Sequence, residues 1–416
     1  MPANKRSCTE RRPEISLEVI GGRWPDLHPD LLAQILNRLE VDDFVRFLAV
    51  CRAWRSVPTK TKNCRPKPQI PWLLLENPAS WCFVRLSPSC FDGGQEEHPE
   101  KKIISQCEIN LPEIAHQRRI GCSQGFLITT DDFSKTLSAV NPLTGAHFPL
   151  PPTAAHPDID EIIHSYDDMF RRSGNLPSKM EVCYKKAAIS PSLDTIAVAI
   201  EINLVSDGFR FDRLVVARAG GTSWTCLLER IIWDIVFHKG HLHVLDYDGN
   251  LHIFDLDCSL EAQSYIPPTQ SPGPYTKMFL VESPDGNSLF LLVDDFVGTS
   301  LVRKFEVMKL DESQLKWEEI DSMGEVALLF DESSLTSLST REFPSLKRNC
   351  IYFTSCFVEG WNCFHFTSCF VEGWNCFHCP PVLCLEDGSI QPSCPVDGLA
   401  QLHCPYSSMW WFTPAL

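Results

Sequence analysis

Apolar residues over the first 60 positions recur at intervals of three and four, and beyond residue 70 they fall instead into short runs separated by turn signals. Leu31, Leu32, Ile35, Leu36 and Leu39 lie at helical spacing, and Pro29 stands where a first helical turn tolerates proline. Phe44, Phe47, Leu48, Cys51 and Trp54 make a second stripe, behind Asp42 and Asp43, either of which can cap the helix. The pattern predicts two or three short helices in about 35 residues, too small a body to bury both apolar faces by itself. The excess apolar surface calls for a partner.

After the basic, proline-broken stretch TKTKNCRPKPQ the pattern changes for the rest of the chain. PWLLL, GFLITT, TIAVAIEI, RLVVARA, HLHVLD, LHIFDL, LFLLVDD and CIYFT have β character, and NPLTG, HKG, DYDGN and SPDGN mark turns between such runs. Many short strands with almost no helical periodicity predict an all-β array rather than an α/β enzyme. At about 40–50 residues per four-stranded blade, residues 71–416 would form a β-propeller of roughly six to eight blades. The expected organisation is a disordered lead over 1–22, a small all-α domain over 23–58, a linker over 59–70 and the propeller over 71–416. Trp233-Asp234 is a single WD pair, without the repetition that would make it a blade signature.

Charge and composition narrow the function classes. Residues 1–70 hold 13 Lys and Arg against 8 Asp and Glu, a net of +5, which leaves −21 on the remainder of a chain whose total is −16. So acidic a body repels a phosphate backbone and argues against nucleic-acid binding; protein partners fit better. No apolar run reaches the roughly 18–20 residues of a membrane span, and no signal-peptide pattern opens the sequence. A nuclear or cytoplasmic setting follows, and there most of the 19 Cys are expected to be small core residues rather than disulfides.

Three patterns could carry chemistry. FTSCFVEGWNCFH occurs twice without a change, at 353–365 and 366–378. Its Cys are seven apart, and only Cys376 and Cys379 give the Cys-x2-Cys knuckle that zinc favours, so a tandem duplication lengthening a connection between strands is the stronger reading. In FHKGHLHVLDYDGNLHIF, two-residue turns at Lys239-Gly240 and Asp248-Gly249 would pair His238 with His241 and Leu245 with His252. His238, His241, His243 and His252 would then share a face; we read it as the polar face of a blade, with Ile235, Phe237, Leu242, Val244, Leu251 and Ile253 on the buried side. GCSQG, at 121–125, has the letters of a nucleophile elbow, but a strand follows it where that motif needs a helix, so Ser123 is expected to be a turn residue. No phosphate loop or dinucleotide fingerprint is present. No catalytic residue, metal or cofactor is expected.

The N-terminal segment resembles an F-box. Leu27, Leu31-Leu32, Ile35-Leu36 and the closing Val50-Cys51-Arg52-Ala53-Trp54-Arg55 match that motif in order and spacing. The proline that usually follows the first leucine is His28 here, with Pro29 one place later, a departure that would weaken adaptor binding. From PWLLLENP through IGCSQGFLITTDD, VNPLTGAHFPLPP and WDIVFHKGHLHVLDYDGNLHIFDL to LCLEDGSI, the β region is similar to the large plant F-box family with a KIB-type, kelch-like propeller. The resemblance implies the substrate receptor of a Skp–cullin–F-box (SCF) ubiquitin ligase, a non-catalytic subunit whose partners are a Skp-type adaptor, through it a cullin–RING ligase, and a target protein. It implies adaptor contacts at Leu27, Pro29, Leu32, Ile35, Leu36, Val50, Cys51 and Trp54, with Leu39, Phe44 and Leu48 as the small domain's own core. Two other readings rank below it: a propeller scaffold whose F-box is vestigial, and a metal-dependent enzyme using the His face or the Cys doublet.

Overall fold

In the computed structural model of the chain, residues 27–60 and most of 64–86, 103–131, 136–151, 180–204, 209–296, 303–354, 370–375, 381–392 and 409–414 are described. The lead over 1–22 and most of the doublet lie outside the described residues, and with them the reading of the doublet as a zinc site. The chain divides into two units, Met1–Lys67 and Pro68–Leu416.

The first unit is helical: α1 (Pro29–Leu36), α2 (Val41–Val50), α3 (Arg52–Arg55) and α4 (Val57–Lys60). Part of the stretch expected as linker packs onto it. The Lys67 N–H donates to Leu39 O at 3.0 Å or less (2.8 Å), and Cys64 lies against the helical core.

The second unit is built of antiparallel sheets, and five of them carry four or five strands. Blade 1 holds β1 (Trp72–Asn77), β2 (Ser80–Leu86) and β3 (Ile103–Ile109), and is completed by Met409–Phe412, which pairs with β1. Blade 2 spans Met180–Leu228, blade 3 Ile232–Ile266 and blade 4 Lys277–Glu319, each a four-stranded meander. Blade 5 spans Val326–Pro392 and has five strands, including a parallel pairing of Val326–Phe330 with Cys350–Phe353. A smaller three-stranded sheet over Arg118–Val140 comes between blades 1 and 2 in the chain. Among the described residues the propeller thus has five blades of four or five strands, not the six to eight expected. Three strands of blade 2 are ten residues long, and blade 5 holds all but the first residue of the doublet in one connection, so a blade takes up more chain than short strands and tight loops would.

Propeller sheets are covered on both faces, which explains why strands such as Val326–Phe330 and Phe126–Thr130 are buried at every position instead of alternating. Phe237, Leu242 and Val244 of blade 3 pack against Ala197, Ala199 and Leu214 of blade 2, while Leu245 and Leu251 on the opposite face meet Met278, Leu280 and Leu291 of blade 4. The smaller sheet approaches blade 2 so closely that a Cβ on Gly121 would lie 2.5 Å from Ala187 O. Only glycine fits there.

Polar links tie the inner strands together. Asp234, fully buried, pairs with Lys186 of blade 2 and accepts the N–H of Ile235 at 2.7 Å and of Leu280 in blade 4 at 2.9 Å. Arg119 and Asp331, both inaccessible to water, are 3.5 Å apart, and Asp331 also accepts two hydrogen bonds from Ser334 at 2.7 Å. The WD pair set aside in the sequence thus contains a residue that joins three blades.

Candidate functional site

The helical unit is small enough that every apolar residue is either core or surface. His28 takes the N-cap position of α1, its Nδ1 accepting from Asp30 N at 3.3 Å, and Pro29 opens the first turn, where the missing N–H costs no bond. Leu32, Ala33 and Leu36 point inward and meet Phe44, Phe47 and Val57. α2 starts at Val41, which is buried, earlier than a cap at Asp42 or Asp43 would give; those two carboxylates instead hold Arg46 at 3.0 and 2.7 Å. The helix ends because Cys51 is extended (φ −160°, ψ 170°), so Trp54 reaches the core from α3 and stacks on Phe47 with ring centroids 4.2 Å apart.

This packing sorts the expected adaptor contacts. Leu32 and Leu36 are buried in the unit's own core, as is Phe44. Leu27 and Trp54 are half-buried against that core, as are Leu39 and Leu48, and Cys51 is half-buried at the break between helices. Pro29 is exposed, and Ile35 and Val50 are open to solvent at 37% and 60%. Leu31, one position off the expected set, is 50% exposed and lies one helical turn from Ile35. Sequence spacing alone could not find it, because Leu31-Leu32 and Ile35-Leu36 offer two adjacent stripes and only the position of α2 decides which faces inward.

In the propeller the histidines do not share one face. His238 pairs with His241 as expected, but the second turn has three residues, Tyr247, Asp248 and Gly249, with Gly249 at φ +84°. The longer turn shifts the register, so that Leu245 faces Leu251 and His252 faces Val244. His252 therefore lies on the opposite side from His238, His241 and His243, while Leu251 and Ile253 join the histidine face. Each buried ring has a specific use. His238 contacts Glu282 at 2.7 Å and Glu312 at 3.1 Å, bridging to blade 4. His252 meets Asp246 at 2.9 Å; burial works against that carboxylate's charge, but hydrogen bonds from His252 and Asn250 hold it below the usual range. Burial pushes His243 down to about 4, so the ring is neutral. Among the described residues no group of three or more His, Cys, Asp or Glu is placed to hold a metal ion.

Ser123 ends a strand, and Gln124 and Gly125, both at positive φ, turn directly into Phe126–Thr130. Its hydroxyl donates to Ile189 O at 3.0 Å and accepts from Ile189 N at 3.1 Å, joining the smaller sheet to blade 2. Ser123 is thus the last paired residue of its strand, beside the turn rather than in it, and it has a packing role. A recess of about 530 Å³ opens beside Tyr247, Asp248 and Asn250, with Pro267, Pro268 and Pro272 forming its far wall. The 247–249 turn and the connection leaving Ile266 lie at one end of blade 3, as strand direction requires, and Tyr247 stacks there on Trp233 at 5.1 Å. Among the described residues no helix is long and apolar enough to cross a membrane.

Residues 24–65 match the F-box domain, and residues 98–375, about two thirds of the chain, match the KIB1-4 beta-propeller. The chain is an F-box protein of the KIB1-4 beta-propeller family. Among its relatives, this F-box protein is 23% identical over 354 residues to the F-box protein At4g35733 of Arabidopsis thaliana, covering 80% of this chain and 88% of the relative. It is 24% identical over 372 residues to the F-box protein At2g05970 of the same plant, covering 80% and 84%. An F-box joined to a propeller is an architecture typical of non-catalytic adaptor proteins, and in this F-box protein His238 and Ser123 each link neighbouring sheets.

Proposed function

We propose that this protein is the substrate-recognition subunit of an SCF ubiquitin ligase, acting in the nucleus or cytoplasm. Its helical unit binds a Skp-type adaptor, and through it a cullin–RING ligase, while its propeller holds a target protein for ubiquitylation and degradation. The observation that carries the reading is the exposure of Leu31, Ile35 and Val50 on a unit whose core is already filled by Leu32, Leu36, Phe44 and Phe47. Large apolar side chains left outside a complete core are what a partner would cover. The subunit contributes effective concentration, bringing target lysines to the conjugating enzyme, and needs no catalytic residue of its own.

A second reading, a protein-binding propeller with a vestigial F-box, draws on His28, which stands where the motif has proline. Co-expression with a plant Skp-type adaptor separates the two. Stoichiometric co-purification that is lost on Leu31→Asp plus Ile35→Asp supports the receptor reading. No capture of the folded protein by any of a panel of adaptors leaves the scaffold.

A further inference from the structure

Cys350 and Cys384 lie directly opposite one another on neighbouring antiparallel strands of blade 5. The Leu385 N–H donates to Asn349 O at 3.0 Å, which makes Asn349 and Leu385 a hydrogen-bonded pair. The next pair along, Cys350 with Cys384, is therefore a non-hydrogen-bonded one, the type that brings Cα atoms to about 4.5 Å, within the roughly 4.4–6.8 Å that a disulfide spans. Both side chains leave the same face of the sheet, and both are free thiols. Cys350 is buried among Leu73, Cys82, Ala327 and Tyr352, while Cys384 is only half-buried. The connection between their strands contains both copies of FTSCFVEGWNCFH apart from Phe353, which ends the first strand.

We propose that Cys350 and Cys384 are a peroxide-sensitive thiol pair whose disulfide staples the two ends of the doublet-bearing connection. Hydrogen peroxide reaches Cys384, oxidising its thiol to a sulfenic acid and releasing one water. The Cys350 sulfur then attacks the Cys384 sulfur; the S–O bond breaks, the hydroxide leaves with the Cys350 proton as a second water, and an S–S bond forms. A small thiol reverses the change and is itself oxidised to a disulfide. Burial, with the neighbouring Cys384, pushes the Cys350 thiol up to about 12, so Cys350 is the resolving rather than the first-oxidised partner. Its poor ionisation is offset by being held opposite its target. The disulfide closes a covalent loop over residues 351–383, an interval that includes four Cys of the doublet and Cys379.

The test is disulfide mapping on the full chain. Reduced protein is titrated with hydrogen peroxide, alkylated, digested and analysed by mass spectrometry, with exposed Cys258 as the internal gauge of oxidation. The expected result is a linked peptide joining Cys350 to Cys384, two hydrogens lighter than its reduced parts, lost on treatment with dithiothreitol. Cys350→Ser should abolish it and leave a sulfenic acid on Cys384 that dimedone traps. Two results would overturn the proposal: Cys384 linked to Cys82 or to a doublet cysteine instead, or both thiols still alkylated when Cys258 is fully oxidised.

Discussion

Asp234 accepts the backbone N–H of Leu280 at 2.9 Å, a hydrogen bond that crosses from the inner strand of one blade to that of the next. The same carboxylate pairs with Lys186 on the blade before it. Asp234→Ala would leave an ammonium with 17% of its surface exposed and a buried N–H, both without this acceptor. Breaking one side of a buried pair costs about 3–5 kcal/mol. Denaturant unfolding should show a loss of that size, with Asp234→Asn costing less because it keeps an oxygen for Leu280.

The helical unit offers a contrast between neighbours in sequence. Leu31→Asp with Ile35→Asp changes two exposed side chains and should leave helical circular dichroism intact while weakening adaptor capture by about 100-fold or more, given ~1.5–3 kcal/mol per large apolar side chain buried. Leu36→Ala, at a fully buried position, should instead destabilise the unit by about 2–5 kcal/mol. A double Asp variant that unfolds the helices would show that the exposed face is part of the core.

Acid should weaken the propeller through His243. Its folded value of about 4 lies below the ordinary 6.5, so between those values the unfolded chain binds the extra proton. Stability therefore rises with pH across that window and is lost as pH falls from 6.5 toward 4, by about 3 kcal/mol in all. His243→Gln should show a flatter profile over the same range when both proteins are unfolded in urea at a series of pH values. Matching slopes would mean that His243 protonates without penalty.

Deleting one copy of the doublet, residues 366–378, should hardly change the fold. The strands that flank it pair through Cys350, Ile351 and Tyr352 with Cys384, Leu383 and Val382, outside the repeat. Halving a loop alters its closure free energy by only about 0.6 kcal/mol. Thermal unfolding should move by a degree or two at most in the trimmed protein. A much larger loss would show that the second copy is packed into blade 5.

The strand runs, the turn at Lys239-Gly240 and the two-helix start were legible because local patterns specify them. What escaped was set by tertiary packing. Leu31 and Leu32 are equivalent to a helical wheel until α2 covers one of them. The His252 register depended on whether Tyr247 belongs to the turn, and a single residue in a turn moves a side chain to the other face of a sheet. Asp234 gave no warning in sequence, since one acidic residue beside a tryptophan is common and its partners come from other blades.

The pairing of Met409–Phe412 with Trp72–Asn77 sets an order of events during synthesis. Phe412, completely buried against Trp72 and Phe83, must leave the ribosome before blade 1 is whole. Until then β1 presents an open hydrogen-bonding edge, the kind of feature that invites misassembly. The helical unit, whose core residues from Leu27 to Cys64 are close in sequence, can form while the propeller is still being made. Newly made chains thus hold a folded helical unit while blade 1 is still open, and that interval is when chaperones have most to protect.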